Sequence, residues 1–140
     1  MLGVMIREYL IPSLREKLPD QPFTFSDDPK FVARLPSPCS EVGELILSDD
    51  GDEATVYLSK ITHRHFGCYE DLPEPRKDER IASAVTDFVA DLVADRVVLW
   101  RAFGGRIGGT YRLKPDDTLP RSSRFKEKFV WSHQLPRRSA

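Results

Sequence analysis

The densest set of groups able to hold a metal or move a proton is Thr62-His63-Arg64-His65-Phe66, with Cys68 three residues past His65. Side chains alternate along an extended strand, so His63 and His65 share a face if this segment ends a strand. Two imidazoles and a thiolate suit zinc, and a metal here would use His63, His65 and Cys68. No second cluster stands at a spacing that supplies a fourth ligand. The expected state is therefore no metal and no cofactor, with the histidines bonding a carboxylate or capping a loop. His63, Arg64, His65 and the neighbouring Lys60 remain candidate binding residues.

Asp49, Asp50, Asp52 and Glu53 surround Gly51, an arrangement of carboxylates that a hard cation favours. The twelve-residue spacing and terminal bidentate glutamate of a calcium loop are missing, so these acids read as a solvated hairpin turn able to meet a partner. The glycines between Phe103 and Gly109 lead into another strand and not into a helix N-terminus, which excludes a phosphate-binding loop and leaves a flexible hairpin tip. No serine stands in a nucleophile-elbow pattern, and Cys39 lies among prolines. Arg121, Arg124, Lys126 and Lys128, interleaved with Phe125, Phe129 and Trp131, have the composition of a surface that stacks bases and follows phosphates.

The 140-residue chain is large enough to bury one core and too small for two. Hydrophobic residues make up 40% and charged residues 31%, which separates it from disordered and membrane compositions. The net charge of -1 gives no overall field toward polyanions, yet the charge is unevenly spread. Six acids and no base occupy 41–53, and six bases against one acid, Glu127, occupy 121–140, with Arg137 and Arg138 closing that block. Cys39 and Cys68 fit no disulfide framework, so reduced thiols in a cytoplasm are expected. The apolar start is interrupted by Arg7 and Glu8 before it reaches the length of a signal core, and no membrane partner is expected.

These residues are positioned by a chain read as α+β: a mainly antiparallel sheet built from hairpins with two helices packed on it. Leu2, Ile6, Leu10, Leu14 and Leu18 recur at helical spacing, with a kink or break expected at Pro12. Short strands or extended loop follow around Phe23–Phe25 and Phe31–Leu35. Asp50-Gly51 turns a hairpin between 42–47 and 54–62. Ile81, Val85, Phe88, Val89 and Leu92 mark one face of a second helix, for which Asp78 is the expected N-cap. The segment 97–102 pairs with 109–113 in a second hairpin. Residues 1–114 form the domain in this reading, and 115–140 form a basic extended arm wrapped on it.

Two resemblances attach to these residues. Val42-Gly43-Glu44-Leu45, Asp50-Gly51-Asp52 and Val56-Tyr57-Leu58-Ser59-Lys60 resemble the hairpin core of PD-(D/E)xK nucleases. That likeness implies a lysine at Lys60 that helps activate water, but Leu58 and Ile46 stand where the metal-binding acids belong, which implies a degenerate, inactive relative. The span from Asp50-Gly51-Asp52-Glu53 through His63-Arg64-His65-Phe66 to Val97-Val98-Leu99-Trp100 is similar to a family of small uncharacterised bacterial proteins, which implies a bacterial cytoplasmic protein without an assigned activity. The expectation is a non-catalytic interaction protein, of immunity type, meeting a protein partner through Asp49 to Glu53 or through His63, Arg64 and His65. A metal-dependent hydrolase built on Lys60, His63 and His65 with Glu8 or Glu44, and nucleic-acid binding through the arm, are the alternatives.

Overall fold

The computed structural model describes residues 5–137, so Leu2 and Arg138 lie outside the described part. Helix α1 (Ile6–Lys17) buries Ile6, Leu10 and Leu14, the stripe its spacing predicts. The helix runs through Pro12, so of the expected kink or break the break does not occur. Pro12 and Glu8 are both exposed, so the Glu8 carbonyl that loses its amide partner is free to bond water.

Five antiparallel strands follow, β1 (Thr24–Phe25), β2 (Phe31–Pro36), β3 (Glu44–Asp49), β4 (Glu53–Leu58) and β5 (Thr62–Gly67), paired in chain order. The hairpin at Asp50-Gly51 forms as read, with Gly51 at φ +97° and the Asp50 amide bonded to the Glu53 carbonyl. The single strand expected over 54–62 is instead two. Ser59 Oγ accepts the Glu44 amide, and the Ile61 amide closes a turn on the Leu58 carbonyl at 2.9 Å. These bonds pull residues 59–61 out of the ladder, and the histidines fall on the next strand.

Helix α2 (Glu74–Val93) begins four residues ahead of Asp78, which is not its N-cap. Pro75 sits in the first turn, where its missing amide breaks no helical bond, so a proline-rich stretch that reads as loop starts the helix. A second antiparallel sheet contains β6 (Val97–Ala102), β7 (Ile107–Arg112), β8 (Lys126–Val130) and β9 (His133–Gln134), in the order β7-β6-β8-β9.

Residues 115–137 are therefore not an arm wrapped on a finished domain, and 138–140 lie outside the described residues. Strand β8 pairs with β6 from Leu99–Phe129 to Ala102–Lys126, and Phe129, Val130, Trp131 and Leu135 are buried. The main core cluster is shared by both helices and both sheets, with Leu45, Val56 and Phe66 joining Phe88, Leu99 and Phe129 in it, and a smaller cluster gathers Val98, Val130 and Leu135. Among the described residues no helix is long and apolar enough to cross a membrane.

Candidate functional site

Both helices cover the same face of the first sheet. Leu35, Leu45, Leu47, Val56, Leu58 and Phe66 point toward them, and pairing puts Arg34, Ile46, Ser48, Thr55, Tyr57, His63 and His65 on the other face. His63 and His65 do share a face, their rings edge-on at 5.1 Å between centroids. Arg64, expected to act with them, is turned by the same alternation to the helix side. Its guanidinium lies 5.0 Å from the Phe66 ring centre and 5.1 Å from that of Phe88, and burial together with nearby Arg112 pulls its pKa down.

Lys60 and the acidic turn lie at opposite ends of β4, which runs from Glu53 to Leu58. The Lys60 ammonium donates to the Ser40 carbonyl at 3.1 Å. Glu44 is engaged by Arg34, and Glu8 sits on the first turn of α1. Lys60 and His63 line one pocket at the β4–β5 turn, but Glu44 is held by Arg34 and His65 lies with Glu53 and Thr55, so the carboxylates expected of a hydrolase site do not join them there. Cys68 follows β5, half-buried, and lines a cleft with Asp52, Glu53 and Tyr69.

Among the described residues one set of three ligating side chains converges: Asp50, Glu53 and His65, with ligand atoms within 4.8 Å of one another. It replaces the sequence-derived set His63, His65 and Cys68. Thr55 ties the new set together. Its hydroxyl donates to Asp50 Oδ2 at 2.6 Å, so at 2.9 Å it accepts from His65 Nδ1, which is assigned the proton on this network. Glu53 Oε1 lies 3.3 Å from that same nitrogen. Thr55 thus bridges Asp50 and His65 at the hairpin end with Glu53 beside them, and Ser48 completes the network by donating to Asp50 Oδ1 at 3.0 Å.

Asp49 serves the fold. Facing the helices and only 5% exposed, it accepts the Arg7 amide at 3.1 Å, supplying α1 with the N-terminal acceptor its own Met5 cap lacks. Around it the chain gathers acids from three distant stretches. Glu8 starts α1; Asp50, Asp52 and Glu53 form the turn; Glu74 and Asp78 lie on the first turns of α2 across the cleft from Asp52 and Glu53. Burial and the charges of Asp49, Glu74 and Glu8 together raise the Asp78 carboxyl above its ordinary 3.8. Lys77 is the base lining this cleft, and the Arg7 guanidinium bonds the carbonyls of Ser26 and Asp28. Tyr69 stands on the rim, 97% exposed.

The chain matches no protein-family model, no curated protein and no solved structure. Its function must be argued from geometry.

Sequence reasoning found the acidic turn but missed Glu74, Asp78 and Glu8 as its neighbours. Nothing local marks them, since only the packing of α2 against β4 and β5, and of α1 against α2 and β2, brings the N-terminal ends of the helices to that turn. It also separated the bases of 121–128 from Trp100 and Phe103, which the pairing of β6 with β8 places beside them.

Proposed function

We propose that this is a non-catalytic interaction protein that docks a basic protein partner on its acidic end, formed by Asp50, Asp52, Glu53, Glu74 and Asp78. One observation carries the reading: burial, together with the charges of Asp49, Glu74 and Glu8 brought in from distant stretches, lifts Asp78, and a cationic partner would favour its ionised form and relieve the repulsive part of that cost. The helix N-termini beside Glu8 and Glu74 offset part of that repulsion through their dipoles, but Asp78 lies beyond the first residues of α2 and keeps its shift. Tyr69, exposed at the rim, supplies the flat amphipathic surface on which interfaces are commonly anchored. An immunity-type role, blocking a basic active surface by charge, is consistent with this design.

The test sets the wild-type chain beside a D50N/D52N/E74Q/D78N variant in crosslinking capture from a cell lysate, with circular dichroism to show an unchanged fold. A basic protein held by the wild type and lost by the variant is the expected outcome. Equal retention by both sinks the acidic surface. Stoichiometric zinc or manganese that leaves with a Glu53→Gln substitution would place the protein among metal-dependent hydrolases instead.

A further inference from the structure

The second sheet carries a surface of opposite character, independent of the acidic end. Pairing puts Trp100, Ala102, Ile107, Gly109, Lys126 and Lys128 on one face of it. Glu127, the acid of that segment, points to the other face, where Arg101 holds it at 3.1 Å. Phe103 and Phe125 lie just past the paired rungs Ala102–Ile107 and Ala102–Lys126, so both project at the same end of the sheet. They are 69% and 73% exposed, and Ile107 beside them is 49% exposed.

Two cations already lie over aromatic rings here. Lys126 Nζ is 4.4 Å from the Trp100 ring centre, and the Arg124 guanidinium is 5.4 Å from that of Phe125. Arg106, Arg124, Lys126 and Lys128 have no acidic partner within ion-pair distance among the described residues. The acids of the β7–β8 connection, Asp116 and Asp117, follow the far end of β7, where Asp117 acts on Tyr111. Phe103 adds a sign of its own: it is a non-glycine residue at φ +54°, which costs energy, and its side chain is left in water. It opens the β6–β7 turn, which holds its ring out at the end of the sheet.

A duplex buries its base faces, whereas a single strand offers flat rings and phosphates together. Unpaired cations interleaved with exposed aromatic rings, and no carboxylate among them, match that second chemistry. We propose that this end of the second sheet binds single-stranded nucleic acid, with bases stacking on Phe103 and Phe125 and phosphates meeting Arg124, Lys126 and Lys128.

Fluorescence anisotropy of the full chain with a labelled oligo-dT of about 20 nucleotides tests it, the length exceeding the roughly 4–16 nucleotides that comparable sites cover. Binding should weaken with salt along a log–log slope of about -2 to -3, as three or four phosphate contacts require. Phe125→Ala and Phe103→Ala should each cost about 5- to 150-fold in affinity, because base stacking is worth about 1–3 kcal/mol. Lys126→Gln should flatten the slope by about 0.7. Absence of binding in 50 mM salt, roughly the low end of the range where such contacts hold, would overturn the proposal. So would equal affinity for duplex of the same sequence, or heparin competition with the two phenylalanine variants unaffected, which would leave a charge patch without stacking. The acid-neutralised D50N/D52N/E74Q/D78N chain should bind the oligonucleotide at least as tightly as the wild type, so the two proposals stand or fall separately.

Discussion

Gly108 and Gly109 show how much a single hydrogen can decide. A Cβ on Gly108 would collide with the backbone oxygen of Ile61 in the β4–β5 turn, so this residue is where the two sheets meet. A Cβ on Gly109 would sit 2.8 Å from the Trp100 indole, which lies against that bare backbone. The glycine pair reads in sequence as part of a flexible tip, but only Gly104 and Gly105 form the turn, at φ +67° and +86°. Gly108→Ala should destabilise by about 1–3 kcal/mol, the cost of overpacking, with urea denaturation as the measurement. Asp49→Ala should cost about 1–2 kcal/mol by the same measurement, because α1 loses its N-terminal acceptor and the Gly51 amide loses a bond of 2.9 Å.

At the scale of elements, β8 changes what a truncation means. A chain ending at Lys114 lacks Phe129 and Trp131, and β6 then carries an unpaired edge. Such a chain should fail to unfold cooperatively in a thermal scan, so the loss of any binding by it would say nothing about nucleic acid. Phe129→Ala alone should cost about 3–5 kcal/mol, a large share of a typical domain's stability. The spacing of Phe125, Phe129 and Trp131 reads as a single buried face, and the structure buries Phe129 and Trp131 but leaves Phe125 exposed. That spacing could not separate an arm lying on the surface from a strand inside a sheet, since both bury alternate residues. The β4–β5 turn was hidden for a related reason: Ser59-Lys60-Ile61 carries no glycine or proline, and the bonds that bend it come from Glu44 and Leu58.

For the whole molecule, a net charge of -1 conceals two poles. The acidic turn sits at the start of β4, while the turn at its end abuts Gly105 and Gly108 of the second sheet, close to Phe103 and Arg106. Because the folded state raises the Asp78 carboxyl, ionising it disfavours the fold. That cost is absent below pH 3.8, where the carboxyl is protonated in both states, and appears as pH rises through the higher folded value. Asp78→Asn should therefore raise the melting temperature at neutral pH, by an amount that shrinks in added salt and vanishes below pH 3.8. An unchanged melting temperature at low salt would remove the strain argument for the acidic end. Periodicity and turn chemistry in the sequence alone determined the α+β class, the two amphipathic helices, the Asp50-Gly51 hairpin and the shared face of His63 and His65, because each depends on neighbours a few residues apart. Only the tertiary structure decided that Asp50, Glu53 and His65 converge, that Arg64 turns away, that Glu74 and Asp78 join the acidic turn and that Phe103 stands beside Phe125. Those pairings join residues up to tens of positions apart, and strand register and helix packing set them.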